Sequence, residues 1–111
     1  MSTSATTATD ATAPDLAQVE VATVLHSLSD PVRLAIVQQI DAEGPGGEVS
    51  CGQLDVPVGK STCTHHLKNL IASGVTAERE EGTRKYIRLR RDELDRRFPG
   101  LMDSVLRAAA G

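Results

Sequence analysis

The side chains best equipped for chemistry lie between positions 57 and 91. Lys60, Ser61, Thr62, Thr64, His65 and Lys68 bring ammonium, hydroxyl and imidazole groups together, with no carboxylate among them. Cys63, Leu67, Leu70, Ile71 and Gly74 recur at steps of three and four, the period of a helix with one apolar face packed inward. Lys60, Ser61, Thr64, His65 and Lys68 then fall on the opposite face. Short or cationic hydrogen-bonding groups without a carboxylate suit a surface that must approach phosphates and base edges, whereas a merely solvated helix usually mixes in Glu or Asp.

Ser73-Gly74 has the form of a helix end, with glycine supplying the left-handed cap. Beyond it, residues 75–80 and 84–89 flank Glu81-Gly82-Thr83, which predicts a two-stranded hairpin with a glycine turn. The hairpin carries Arg79, Arg84, Lys85 and Arg88, with Arg90 and Arg91 just after it, diluted by Glu78, Glu80 and Glu81. A polar-faced helix that runs directly into a basic hairpin reads as a helix-turn-helix recognition helix followed by a wing. In that reading Ser61, Thr62, Thr64 and His65 contact bases, while Lys60, Lys68, Arg79, Arg84 and Lys85 hold phosphates or enter the minor groove.

The rest of the chain supplies the elements that position this pair. Residues 1–14 are Ser/Thr/Ala repeats closing on Pro14, too weakly apolar to offset the entropy of ordering them, and are expected to be a disordered tail. A first amphipathic helix is expected over 16–28 from Leu16, Val19, Ala22, Val24, Leu25 and Leu28. Asp30 caps a second helix with Pro31 at its first position, where the missing N–H costs nothing. Its stripe is Val32, Ala35, Ile36 and Ile40, and it ends before the Gly/Pro loop 43–47. Residues 49–54 form a short third helix in this reading, and 55–59 the turn into the recognition helix. A helix over 92–97 with acids in its first turn, a break at Phe98-Pro99-Gly100 and a last helix reaching Ala110 close a single domain, residues 15–111. The fold class is mainly α with a β-hairpin wing.

Composition narrows the function. The net charge of −3 hides an asymmetry, because residues 1–48 hold seven acids and only Arg33, whereas 58–91 hold eight Lys/Arg against three Glu. Any binding of nucleic acid is therefore local to one face and sensitive to salt. Tyr86 and Phe98 are the only Tyr or Phe and there is no Trp, which leaves an aliphatic core and almost nothing to stack on single-stranded bases. No apolar run approaches a membrane span and no export signal opens the chain, so a cytoplasmic protein with reduced thiols is expected. Gly59-Lys60-Ser61-Thr62 mimics the end of a phosphate-binding loop, but Leu54 stands where its first glycine is needed. No Ser/His/Asp set or carboxylate pair at useful spacing supports an enzyme.

Two segments resemble the ArsR/SmtB family of bacterial winged-helix repressors. Leu25-His-Ser-Leu-Ser-Asp-Pro-Val-Arg-Leu-Ala-Ile-Val37 is similar to the family's second-helix entrance. Lys60-Ser-Thr-Cys-Thr-His-His-Leu-Lys68, followed by Ser73-Gly74-Val75 and Gly82, is similar to its recognition helix and wing. The resemblance implies a homodimer joined through residues 16–28 and 99–109, with two recognition helices in successive major grooves of an imperfect palindromic operator. It also implies repression relieved by an inducer. The chain departs from the family's metal sites: Ser50-Cys51-Gly52 leaves Cys51 without its usual ligand pair, and residues 92–111 contain no His. Cys51 and His26 remain the candidate ligands for nickel, zinc or cobalt at an intersubunit site, and Cys51 is alternatively a redox switch or a small packing residue. Cys63 and His65 diverge on the helical wheel, while His66 is expected at the edge of the core. The rival class is a protein-interaction module, or a DNA-binding subunit whose signal is sensed by a separate co-regulator protein.

Overall fold

The computed structural model describes residues 13–111. Most of the expected tail lies outside the described residues; its last residue, Pro14, accepts a hydrogen bond from the buried Arg90 through its carbonyl (2.8 Å). The expected first helix is divided. A single 3-10 turn, Leu16–Gln18, is capped by the Asp15 carboxylate, Val19 and Glu20 are extended, and helix α1 runs only over Val21–Leu28. The break lets Leu16 and Val19 turn into the core while α1 buries Val24 and Leu28 separately.

Helix α2, Pro31–Asp41, begins as expected, with the Asp30 carboxylate accepting from the backbone N–H groups of Val32 (2.9 Å) and Arg33 (3.0 Å). Ile36, Val37 and Ile40 are buried, whereas Val32 and Ala35 are only half-buried, so the inward stripe is rotated towards Val37.

The expected third helix is replaced by a strand and one turn. Strand β1, Glu48–Ser50, is followed by a 3-10 turn, Cys51–Gln53. The strand exists because a sheet edge is available: Glu48, Val49 and Ser50 pair with Arg88, Ile87 and Tyr86. The turn is fixed by the Gln53 side-chain oxygen, which accepts from the Ser50 N–H (2.7 Å) and hydroxyl (3.1 Å).

Helix α3, Lys60–Ala72, matches the expected recognition helix and ends where Gly74 takes a left-handed φ of 87°. A side chain at Gly74 would be strained by that angle, and its Cβ would stand 2.6 Å from Leu16 Cδ2. Strands β2, Thr76–Glu81, and β3, Arg84–Leu89, form the hairpin, with Glu81 opposite Arg84 and Gly82 (φ 63°) opening the turn. The expected two-stranded wing is thus part of a three-stranded antiparallel sheet in the order β1-β3-β2. Helices α4, Arg91–Arg97, and α5, Leu101–Ala110, close the chain. Leu70, Val75, Ile87, Leu94 and Met102 meet Ile36 and Ile40 in one aliphatic core.

Glu48 of β1 and Arg79 of β2 are joined across the sheet by two hydrogen bonds, 2.7 and 2.8 Å long. The hydrogen bond from Arg79 holds the Glu48 carboxyl below its ordinary value of 4.5, against a smaller opposing effect of burial. A lowered carboxylate pKa adds stability that is present above 4.5 and fades as the pH falls through the lower folded value. Glu48→Gln is expected to lower unfolding free energy at neutral pH by up to about 1 kcal/mol, since the pair is partly exposed. Urea unfolding across acid pH should show that difference vanish below the glutamate range; a difference independent of pH would mean that the ion pair is not its source.

Candidate nucleic-acid interface

Helix α3 carries its two faces as its sequence requires. Cys63, Leu67, Leu70 and Ile71 are buried, and Lys60, Ser61, Thr62, Thr64, His65 and Lys68 are all exposed. All of these candidate contacts on α3 are therefore on its accessible surface. The Thr64 hydroxyl donates to the Lys60 carbonyl (3.0 Å), which orients its oxygen lone pairs and methyl group. His66 is half-buried, as expected.

A polar clamp sets the rotation of the helix against its neighbours. Arg33 of α2 donates from Nε to the Ser27 carbonyl at the end of α1 (2.6 Å), while its Nη1 lies 3.3 Å from His66 Nδ1 on α3. A guanidinium can only donate, so His66 Nδ1 is the acceptor in that contact. The buried Ser27 hydroxyl donates to Asn69 Oδ1 of α3 (2.8 Å). The turn leading into α3 is held separately. Gln39 of α2 donates from Nε2 to the Asp55 carbonyl and accepts at Oε1 from the Asp55 N–H, both at 2.8 Å. Among these positioning residues only Arg33 carried a sequence signal, through its place after Asp30-Pro31. Ser27, Gln39, Asp55 and Asn69 are ordinary polar residues whose pairing exists only in the folded chain.

The wing's charge is smaller than its sequence suggests. Arg79, expected at phosphates, is bound to Glu48 and Glu81 and stacks 4.6 Å over the Tyr86 ring. Its guanidinium is held protonated more firmly than usual by the hydrogen bonds to Glu48 and then Glu81. Lys85 lies 3.8 Å from Glu78 and 3.7 Å from Glu80. Arg90 binds Glu93 and the Pro14 carbonyl, and Arg91 binds Asp41, Asp95 and Asp103. Arg84, exposed beside the turn, makes no ion pair among the described residues, and neither do Lys60 and Lys68.

The two cysteines, which the sequence gives no reason to pair, meet. The Sγ atoms of half-buried Cys51 and buried Cys63 are 3.9 Å apart, and both thiols are free. Burial first, and the adjacent Cys51 sulfur second, push the Cys63 thiol up to about 11. Spacing through a Gly/Pro turn gave no signal of this contact. His26 is exposed on α1. Among the described residues of the one protomer no three His, Cys, Asp or Glu side chains gather in a group able to hold a metal ion. No helix among them is long and apolar enough to cross a membrane. Val21 and Leu25 leave an apolar strip exposed on α1.

Comparison with known proteins gives this geometry a context. A helix-turn-helix domain family model matches residues 28–79. Over 86 residues the chain is 34% identical to the uncharacterized HTH-type transcriptional regulator YceK of Bacillus subtilis, covering 76% of this chain and 84% of that protein. The transcriptional repressor BigR from Xylella fastidiosa superimposes with a TM-score of 0.56 at 30% identity, covering 70% of this chain and 85% of that one. A homodimeric winged helix-turn-helix DNA-binding domain from Mycobacterium bovis, described as a possible ArsR-family regulator, gives 0.55 at 26% identity over 81% of this chain and 71% of its own. A possible transcriptional regulator for arsenical resistance gives 0.58 at 26% identity over 78% and 91%.

Arg33→Ala removes the group that ties α1, α2 and α3 and leaves the Ser27 carbonyl and His66 Nδ1 without their donor. The expected cost is about 1 to 3 kcal/mol of unfolding free energy, read by urea denaturation. Arg33→Lys should recover only part of it, because an ammonium lacks the forked geometry. Full recovery with Lys would show that charge, and not the fork, holds α3.

Proposed function

Because this chain belongs to the ArsR/SmtB family of winged helix-turn-helix transcriptional regulators, we propose that it acts as a repressor, binding a palindromic operator as a homodimer. It is a DNA-binding regulator and not an enzyme. The observation that carries the proposal is the exposed row on α3, Lys60, Ser61, Thr64, His65 and Lys68, free of carboxylates and held outward by a core face and a polar clamp.

In the proposed complex α3 lies in the major groove. Ser61, Thr62, Thr64 and His65 meet base edges, and Lys60 and Lys68 neutralise phosphates on either side. The wing tip brings Arg84 and Lys85 to the flanking backbone or minor groove. Arg79 fixes the shape of the wing through Glu48 and Tyr86 and so offers phosphates less free charge than Arg84. The exposed strip of Val21 and Leu25 on α1, with α5, supports pairing of two protomers, as in the homodimeric relative from Mycobacterium bovis. Lys60, Lys68 and Arg84, together with Lys85 if it exchanges Glu78 and Glu80 for a phosphate, imply a dimer whose log K against log salt slope is no steeper than about −7.

Fluorescence anisotropy with duplex DNA from the protein's own upstream region tests the proposal: binding should be far tighter than to random duplex, and equal affinities would refute sequence-specific regulation. His65→Ala should weaken the specific complex by about 1 to 3 kcal/mol more than the random one. Equal losses on both would remove His65 from base reading. Arg84→Ala should weaken both DNAs alike and flatten the salt slope by about one unit for each phosphate it no longer neutralises. An unchanged slope would put Arg84 off the DNA.

A further inference from the structure

The helix that ordinarily precedes a recognition helix is reduced here to one 3-10 turn, Cys51–Gln53, and that turn touches α3 through a pair of free thiols. Cys51 is half-buried and reachable; Cys63 is buried under the first turns of α3. Their Sγ atoms are 3.9 Å apart. A disulfide requires about 2.05 Å, so closure needs a relative movement of roughly 2 Å. The two ends differ in how well they resist it. Cys51 follows Ser50, which is paired with Tyr86 in the sheet and locked to Gln53. Cys63 sits near the start of α3, whose N-cap Gly59 supplies no side-chain cap, while the second half of the helix is pinned by Asn69 and His66. Closure draws the two sulfurs together across the contact between the 3-10 turn and the start of α3, the segment that carries Lys60, Ser61, Thr62 and Thr64.

We infer that Cys51 and Cys63 form a reversible thiol–disulfide modification site, oxidised by hydroperoxides, whose closure displaces the first turn of the recognition helix and weakens DNA binding. Its effect on DNA rests on the proposed function; the modification itself does not. Chemically, the Cys51 thiolate attacks the terminal oxygen of the hydroperoxide. The O–O bond breaks, Cys51 becomes a sulfenic acid, and the departing alkoxide takes a proton to leave as an alcohol, or as water when the oxidant is hydrogen peroxide. The Cys63 sulfur then attacks the Cys51 sulfur. The S–S bond forms, the S–O bond breaks, and the leaving hydroxide takes the Cys63 proton as water. Two thiols and one hydroperoxide give one disulfide, one alcohol and one water. Cys51, the reachable sulfur, takes the first attack, and Cys63, buried and with its thiol pushed up by that burial, resolves it. A dithiol reductant reverses the change by thiol–disulfide exchange.

The full chain, fully reduced, is treated with hydrogen peroxide and then alkylated in denaturant. Mass spectrometry should find both cysteines alkylated before oxidation, neither after it, a Cys51–Cys63 cross-linked peptide from within one chain, and full recovery with dithiothreitol. In parallel, anisotropy with the upstream duplex should show about a tenfold loss of affinity in the oxidised protein, comparable to spoiling one base-pair contact. Cys51→Ser should form no cross-link and keep its affinity after peroxide, and Cys63→Ala should do the same from the buried side. Two alkylatable thiols after peroxide, or cross-links only between chains, overturn the site. A cross-link that leaves affinity unchanged overturns its control of α3. A reduced protein that forms the cross-link but never binds DNA specifically overturns the regulator reading and leaves the modification standing.

Discussion

Arg33 holds three segments at once, the end of α1 through the Ser27 carbonyl, its own helix α2, and the recognition helix through His66. The apolar stripe sets the rotation of α3 only approximately, because burial is not directional, and polar contacts refine it. Leu67 and Leu70 anchor α3 in the interior, and the Arg33–His66 and Ser27–Asn69 contacts select one rotation about that anchor. The exposed row of hydroxyl, imidazole and ammonium side chains on α3 is a consequence of that choice. The Gln39–Asp55 pair completes it by fixing where the helix begins.

Charge follows the same logic of holding first and binding second. Arg79 shapes the wing, Arg90 and Arg91 tie the segment after it to α4, α5 and the loop end of α2, and Arg97 donates to the Leu16 and Val19 carbonyls. Most of the positive excess visible in residues 58–91 is therefore engaged within the protomer. What is left for a polyanion is concentrated on α3 and at the wing tip, which favours a recognition surface that depends on hydrogen bonding as much as on bulk attraction.

Local signals in the chain were enough to read the capped start of α2, the two faces of α3, the Gly74 stop and the Gly82 hairpin. Each of these depends on residues within a few positions of one another. The misreadings are non-local. Residues 48–50 became a strand because β3 offered an open edge, which no local propensity reports. The first helix is broken at Val19–Glu20, and Leu16 and Val19 instead pack beside Gly74, far along the chain. Arg79, read from the sequence only as a DNA contact, also gains a partner, because the fold brings Glu48, distant in sequence, beside it. The Cys51–Cys63 contact was hidden for the same reason, since one thiol belongs to the sheet side and the other to the helix.

Whether α3 and the wing tip form the DNA-binding face is tested by an NMR titration of isotope-labelled protein with its upstream duplex. Amide shifts are expected to concentrate on residues 60–68 and on the wing tip at 82–85, with the Arg33 clamp keeping its native shifts. Perturbations gathered on α1, α4 or the loop after α2, with the outward face of α3 unmoved, would contradict that expectation.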